Sequence, residues 1–145
     1  RFSKFFILKL VEQGEKLDLY ITSYLNLYLI WNKGIAFGLL SFNENMIYNI
    51  ITVLILIIIF TILIMIIKSK GFVKYSLVIV LAGALGNVFD RIYYSAVPDF
   101  IDFHINEFHW FIFNIADIFV TIGVFCLIYV ELFINKEIKN NEKNY

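Results

Sequence analysis

The sequence predicts an all-α polytopic membrane protein, a bundle of four transmembrane helices with a small extracytoplasmic β-sheet subdomain. Of its 145 residues, 61% are hydrophobic, compared with about 45–50% in soluble domains. Residues 46–67 contain no charged side chain, and a helix of that length reaches roughly 33 Å, enough to cross a hydrocarbon core of about 30 Å. Parts of residues 12–45 instead alternate apolar with other side chains, which is typical of short strands.

Four apolar segments account for the predicted bundle, which we interpret as one membrane-embedded domain. Helix 1 occupies residues 1–11, too few to cross a bilayer, so we expect this helix to begin before Arg1. The other predicted segments are helix 2 at 46–67, helix 3 at 72–91, helix 4 at 111–134, the β subdomain at 12–45, an extracytoplasmic loop at 92–110 and a cytoplasmic tail at 135–145.

The β subdomain is predicted from the positions of Leu25, Leu27, Leu29 and Trp31, which lie two residues apart. A period of two puts these side chains on one face of a strand. Because the neighbouring segments are transmembrane helices, we expect a small sheet on the outer surface of the membrane, with the tryptophan at headgroup depth.

Lysines determine the predicted orientation. They lie between helices 2 and 3 and again after helix 4, whereas residues 92–112 contain acids but no lysine or arginine. By the positive-inside rule the lysine-bearing segments, including the C-terminus, are cytoplasmic. The formal net charge of zero argues against a nucleic-acid partner, and a single cysteine, Cys126, excludes a disulfide framework within the chain.

Two aspartates are the strongest candidates for a functional site. Asp99 lies in the predicted outer loop, and Asp117 lies near the beginning of predicted helix 4. A carboxylate beside or within a membrane span is costly to keep there, so it is a functional candidate by default. Two carboxylates at one depth can share a proton and carry out acid–base chemistry. This pattern favours an aspartic protease built in a membrane.

Polar residues also cluster at the end of predicted helix 3. Asn87, Asp90 and Arg91 are spaced so that they share one helix face. They could support a reactive carboxylate, or Asp90 and Arg91 could form an ion pair that caps the helix end. Gly83 and Gly86, three residues apart, predict the close approach of a neighbouring helix.

Asn114 and Asp117 are likewise three residues apart, and on a helix both point into the bundle, with Ala116 leaving space beside them. One interpretation is that they belong to the functional site. The alternative is an N-terminal cap, because asparagine and aspartate are favoured at helix starts.

A third polar segment contains Asn32, Gly34, Ala36, Phe37 and Gly38. One interpretation is a turn between strands. The other is a loop whose backbone approaches a peptide substrate closely, as glycine permits, with the phenylalanine closing over the scissile bond.

A metal cluster is a further alternative, since Asp99, Asp102, His104, His109 and Asp117 include ligand types that suit zinc or iron. Their spacing matches no helical motif of paired histidines, so we expect neither a metal nor another cofactor. Asp102 is expected to be dispensable, because it lies in the predicted loop and lacks a matched partner.

Two other function classes are weighed against a protease. A small membrane transporter or proton channel would use paired intramembrane acids, but it predicts acids spread through the membrane depth, whereas here they cluster at one end. A purely structural protein would not need polar residues on two helices facing one spot. Ser3 and Lys4 are adjacent and point apart on a helix, which argues against a serine–lysine dyad.

Five sequence blocks carry a resemblance to a known family. They are Ser3-Lys4, Asn32-x-Gly34-x-Ala36-Phe37-Gly38, Gly83-x-x-Gly86-Asn87-x-x-Asp90-Arg91, Asp99-Phe100-Ile101 and Trp110-x-x-Phe113-Asn114-x-Ala116-Asp117. In this order, over nearly the whole chain, they resemble lipoprotein signal peptidase, or signal peptidase II, a family of bacterial inner-membrane aspartic proteases.

The resemblance implies that Asp99 and Asp117 are the catalytic dyad. The implied substrate is a prolipoprotein that bears a diacylglyceryl group on a cysteine and is cut just before that cysteine, with membrane lipid as the other partner. We expect a monomer in the bacterial cytoplasmic (inner) membrane, with its active site near the outer face. The implied supporting or substrate-binding residues are Lys4, Asn32, Gly34, Ala36, Phe37, Gly38, Asn87, Asp90, Arg91, Asn114 and Ala116.

Overall fold

A computed structural model of the protein describes residues 1–12, 17–34, 44–106 and 108–134. Its helices are α1 (Phe2–Glu12), α2 (Glu44–Lys68), α3 (Gly71–Tyr94) and α4 (Ile115–Tyr129), and α4 continues into a π-helical segment, Val130–Ile134. Its strands are β1 (Asp18–Thr22), β2 (Leu25–Asn32), β3 (Val97–Ile105) and β4 (Phe108–Phe113).

Three helical segments are long and apolar enough to cross a membrane. They are Met46–Lys68, Gly71–Tyr94 and Ile115–Ile134, with mean hydropathies of 3.5, 1.8 and 2.2. Most side chains of α2 are apolar and exposed, except on the side that carries the buried Ile59 and Ile62, as expected of a helix that is largely surrounded by lipid. The membrane class and three helices of spanning length are therefore confirmed, and membrane crossing by the shorter α1 stays a prediction.

Helices α3 and α4 approach closely because glycines lie between them. A Cβ atom placed on Gly83 would lie 2.4 Å from the carbonyl oxygen of Ala116 and 2.8 Å from the Val120 side chain. From the other helix, a Cβ on Gly123 would lie 2.8 Å from the carbonyl oxygen of Ser76. The close approach predicted at Gly83 is confirmed, and it holds the first turn of α4 directly against α3.

The four strands form one antiparallel sheet in the order β1-β2-β3-β4. The hairpin between β3 and β4 turns at Asn106, whose φ of 53° is in the left-handed region that asparagine tolerates. The sheet therefore joins the segment before α2 to the segment between α3 and α4, and β4 leads directly into α4.

The loop expected at 92–110 is wrong, because β3 and the first half of β4 occupy it. A signal for this was present in the sequence: Ile101, Phe103 and Ile105 alternate with polar residues, which is a strand pattern. The strands predicted within 12–45 are confirmed as β1 and β2, but they form only half of the sheet.

The helix boundaries differ from the predicted ones by a few residues. The third helix continues to Tyr94, three residues beyond its predicted end. Residues 111–113, predicted to open helix 4, belong to β4, and α4 begins at Ile115. The predicted tail at 135–145 lies outside the described residues.

A small apolar core fixes α1 beside the sheet. Ile7 of α1, Leu17 and Phe100 of β3 are all buried in this core, and Ile115 at the start of α4 packs against it. These contacts bring one face of α1, the inner face of β3 and the opening turn of α4 to one place.

Candidate active site

Asp99 is held in a buried position on β3, with 3% of its surface exposed. Its Oδ1 accepts a hydrogen bond from Asn114 Nδ2 at 2.6 Å, and its Oδ2 accepts one from Asn32 Nδ2 at 2.8 Å. Asn32 is the last residue of β2 and pairs with Val97 in the sheet. The pairing of β2 with β3 therefore brings an amide donor to the carboxylate.

Asn32 is itself oriented by a tight turn. Its Oδ1 accepts a hydrogen bond from the Gly34 backbone N–H at 2.6 Å. Gly34 has a φ of 79°, a conformation that favours glycine. A turn at these two residues, directly after β2, is confirmed. A strand beyond it and the substrate-loop interpretation stay predictions, because Ala36, Phe37 and Gly38 lie outside the described part of the chain.

Asp117 lies in the first turn of α4, where it forms a capping box with Asn114. Asn114 Oδ1 accepts a hydrogen bond from the Ala116 backbone N–H at 2.7 Å, and Asp117 Oδ2 accepts one from the Asn114 backbone N–H at 3.0 Å. These bonds satisfy two donors that a helix start otherwise leaves unpaired. The capping interpretation is confirmed, and the Asn114 side chain also reaches Asp99.

A chain of polar contacts joins Asp117 to α1. Asn87 Nδ2 donates to Asp117 Oδ1 at 2.7 Å, and Lys4 Nζ donates to Asn87 Oδ1 at 2.6 Å. The same Nζ donates to Asp90 Oδ2 at 2.5 Å, and Arg1 forms an ion pair with the other Asp90 oxygen. Lys4 is 1% exposed and Asp90 0% exposed, so each buried charge has an opposite partner.

Arg91 does not form the helix-capping ion pair with Asp90 that was one interpretation of the sequence. In the described residues the Asp90 carboxylate pairs with the two cations at the start of the chain. The Arg91 carbonyl oxygen accepts a hydrogen bond from Tyr48 Oη at 2.5 Å, and its Nη2 would lie 3.7 Å from a Cβ placed on Gly34. Arg91 therefore lies between α2 and the turn that orients Asn32.

The surroundings of Asp99 favour its protonated form, compared with the same carboxyl group in water. Burial raises the pKa of Asp99 above its ordinary value of 3.8, because the charged form is poorly solvated there. The amides of Asn114 and Asn32 act in the opposite direction, repulsion from the Asp117 carboxylate raises the pKa further, and the Lys4 charge lowers it.

The structure thus brings five of the predicted residues into one cluster: Asp99, Asp117, Asn32, Asn87 and Asn114. Every carboxylate oxygen of the pair accepts an amide hydrogen bond, from a side chain or from the backbone. Two neighbouring carboxylates in such a setting can hold one proton between them and act together as acid and base.

Sequence reasoning was wrong about the surroundings of Asp102. This residue is 3% exposed on β3 rather than free in a loop, and its Oδ2 lies 2.9 Å from His109 Nδ1. His104 Nδ1 lies 3.8 Å from the same oxygen. The three potential metal ligands therefore gather in one place, whereas Asp99 and Asp117 do not belong to that group.

Comparison with known sequences gives a family. Residues 1–133 match the family model described as signal peptidase (SPase) II. A lipoprotein signal peptidase of Pelagibacter ubique (strain HTCC1062) is 58% identical over 144 residues, which cover 99% of this chain and 86% of that protein. A lipoprotein signal peptidase of Anaplasma phagocytophilum (strain HZ) is 41% identical over 119 residues, which cover 79% of this chain and 74% of that protein.

Two solved structures of bacterial membrane enzymes have the same fold. One has a TM-score of 0.69 and 34% identity, covering 86% of this chain and 82% of that enzyme. The other has a TM-score of 0.64 and 30% identity, covering 86% of this chain and 77% of that enzyme. The family match includes all four helices, the sheet and both candidate aspartates, and the chain therefore belongs to the signal peptidase II family of lipoprotein signal peptidases.

Proposed function

We propose that this chain is a membrane aspartic endopeptidase that removes signal peptides from diacylglyceryl-modified prolipoproteins, cutting just before the lipidated cysteine. The observation that carries the proposal is the pair Asp99 and Asp117, whose four oxygens are all held by amide donors. Family membership supports a protease and gives no support to the alternative of a small transporter or channel.

In the proposed mechanism the two carboxyl groups hold one proton between them. We assign the proton to Asp99, whose pKa is raised by burial, and the role of general base to Asp117. Asp117 takes a proton from water while the water oxygen bonds to the scissile carbonyl carbon, and Asp99 donates a hydrogen bond to the carbonyl oxygen. The C–N bond then breaks, and the amine nitrogen takes the proton that Asp117 had removed from water.

The surrounding side chains have a positioning role in this proposal. Asn32 and Asn114 orient Asp99, and Asn87 orients Asp117 through a 2.7 Å hydrogen bond. Lys4 in turn holds the Asn87 carbonyl oxygen. Supporting contacts of this kind keep reacting groups in a productive geometry.

The membrane orientation follows from where the charges lie on the helices. Lys68 ends α2 and Lys74 lies in the first turn of α3, whereas Asp117 opens α4 beside the far half of α3. The 24 residues of α3 span about 36 Å. By the positive-inside rule the lysine end is cytoplasmic, so we propose that the aspartate pair lies near the outer face of the bacterial inner membrane and that α1 belongs to a fourth span.

This placement explains why a lipid-modified substrate would be preferred. Each buried methylene of a diacylglyceryl group contributes about 0.8 kcal/mol of membrane affinity. The substrate therefore stays in the outer leaflet, and its scissile bond arrives at a fixed depth by lateral diffusion. Because one chain supplies the aspartate pair and its supporting side chains, we propose that the monomer is active.

The test compares lipidated and unlipidated forms of one precursor in detergent micelles, with cleavage followed by gel shift. We expect the unlipidated form to be cut about 100-fold more slowly, because the remote binding energy of the lipid is lost. Asp117→Asn is the control that should cut neither form. Equal rates on both precursors would contradict the lipid requirement and leave a general intramembrane aspartic protease.

A further inference from the structure

The β3–β4 hairpin brings one carboxylate and two imidazoles to one patch of the sheet. His104 and His109 are directly opposite in the strand register, and their ring centroids lie 5.1 Å apart. The register shifts between Asp102 and His104, and the His109 ring reaches the Asp102 carboxylate. Their grouping depends on cross-strand pairing, which is why their spacing along the sequence matched no helical metal-binding motif.

The distances in this patch suit a tetrahedral metal ion. His109 Nδ1 lies 2.9 Å and His104 Nδ1 3.8 Å from Asp102 Oδ2, and one ligand atom from each residue lies within 4.8 Å of the others. In a tetrahedral zinc site with bonds of about 2.0–2.1 Å, neighbouring ligand atoms are about 3.3 Å apart. The two distances to Asp102 fall on either side of that value, so small side-chain shifts would admit an ion.

Two buried polar atoms beside Asp102 have no hydrogen-bond partner among the described residues. His104 is 8% exposed and its Nδ1 has no hydrogen-bond partner among the described residues; the buried Asn26 Oδ1 has none either. Asn26 pairs with Asp102 in the β2–β3 register, and both residues line a cavity of about 290 Å³. Buried polar atoms normally have partners, and a bound ion with its water would supply them.

We propose that Asp102, His104 and His109 bind one divalent transition-metal ion, with Zn²⁺ best suited, and that the ion stabilises the sheet. Imidazole and carboxylate are common zinc ligands, and a fourth position is open to water or to the Asn26 carbonyl oxygen. Asp99 lies three residues from Asp102 along β3 and so faces the opposite side of the strand. The ion therefore links β3 to β4 and takes no part in peptide hydrolysis.

The test titrates ZnCl₂ into the chelator-treated full chain in detergent micelles, purified through a tag that contains no histidine. Calorimetry should give one ion per chain, and saturating zinc should raise the melting temperature. His109→Ala removes a half-exposed ligand and should weaken zinc binding at least about 100-fold. Asp18→Asn is the matched control: it removes a carboxylate that lines the same cavity but lies outside the ligand group, and it should bind zinc like the wild type.

Three outcomes would overturn the proposal: wild-type protein without saturable zinc binding, His109→Ala with wild-type affinity, or Asp18→Asn with the same loss as His109→Ala. His109→Ala also removes the contact with buried Asp102, so the metal-free variant should melt somewhat lower than the metal-free wild type. A wild-type circular dichroism spectrum at the titration temperature is the check that its weaker zinc binding is not a folding defect. Asp102→Asn is a second variant with the same expected loss of zinc. These experiments measure zinc binding and melting temperature, not precursor cleavage. A negative result would therefore overturn the zinc site without contradicting the proposed peptidase activity.

Discussion

Asp99 and Asp102 lie three residues apart on one strand and are equally buried, yet their surroundings differ. Asp99 accepts hydrogen bonds from two side-chain amides and has a second carboxylate nearby, whereas Asp102 faces two imidazoles. Amides orient a carboxylate without adding a positive charge, so burial can raise its pKa. Imidazoles instead offer metal ligands or a positive charge. Burial alone therefore does not make an acid suited to catalysis; the chemistry of its donors does.

The largest expected effect separates these two acids directly. Asp99→Asn and Asp117→Asn should each lower the cleavage rate by about 10³-fold or more, because each removes half of the acid–base pair. Asp102→Asn should retain most of the activity, because its contacts lie on the opposite face of β3. The rates are measured by gel shift on a lipidated precursor, with circular dichroism as a check on folding.

Full activity in either the Asp99 or the Asp117 variant would exclude the dyad assignment. An equal loss in Asp102→Asn would show that the two faces of β3 are not functionally distinct.

The next effect concerns how α3 holds the dyad in place. Gly83→Ala should destabilise the protein by about 1–3 kcal/mol, because its new Cβ meets the Ala116 carbonyl oxygen at 2.4 Å. The resulting displacement of the first turn of α4 should also lower cleavage by about 100-fold. Gly86→Ala is the matched control, since its Cβ would have an ordinary 3.5 Å contact with the Ala116 side chain. Thermal melts and cleavage rates that are the same for both variants would contradict this account.

A smaller effect is expected at the cation that supports the dyad. Lys4→Met should lower the cleavage rate by about 10–100-fold, because Asn87 loses the donor that orients it. Since the Lys4 charge lowers the pKa of Asp99, its removal should also move the alkaline limb of the bell-shaped pH–rate profile to higher pH. Lys9→Met, on the exposed side of α1, is the control and should match the wild type. If the pH–rate profiles of Lys4→Met and the wild type were superimposable, Lys4 would have no role in supporting the two aspartates.

The raised pKa of Asp99 also predicts a pH-dependent difference in stability. Over the interval from the ordinary pKa of 3.8 to the raised folded-state pKa of Asp99, the folded protein holds more protons than the unfolded chain, so its stability falls as pH rises. Asp99→Asn cannot titrate there. The melting temperature of the variant minus that of the wild type should therefore increase with pH across this interval and then level off. A difference that stays constant with pH would contradict the raised pKa.

Removal of metal ions is expected to have no effect on the cleavage rate. Treatment with a strong chelator should leave the cleavage rate unchanged at temperatures well below melting, because the carboxylate pair activates water by itself. If activity were lost on chelation and restored by zinc, a metal ion would have to take part in the catalytic step.

The three long apolar helices and the polar cluster around Asp99 and Asp117 could be predicted from the sequence because their signals are local. A helix of 20 or so apolar residues, and an acid at its end, can be recognised without knowing what packs against them. Capping and a place in the polar cluster are not exclusive for Asn114, because its Oδ1 caps α4 while its Nδ2 donates to Asp99.

The pairing of β3 with β2 and the ion pairs of Asp90 could not be predicted in the same way. β3 pairs with a strand about 70 residues earlier, and Arg1 meets Asp90 across 89 positions. No local pattern encodes such distant partners. From the sequence, the neighbouring Arg91 was therefore the cation considered as a partner for Asp90. The metal cluster weighed from the sequence included Asp99 and Asp117, and its spacing argued against it. The grouping of Asp102, His104 and His109 alone depends on the register of the hairpin.

The capping box of α4 has a consequence for local unfolding. The hydrogen bonds that begin this helix use the Asp117 carboxylate and the Asn114 side chain, so fraying of the first turn would also disassemble the proposed dyad. Backbone amide hydrogen exchange at Asn114 and Ala116 therefore reports the fraction of molecules that are ready to react. An inhibitor that engages Asp117 would slow exchange at these two amides, which gives a measure of occupancy without a cleavable substrate.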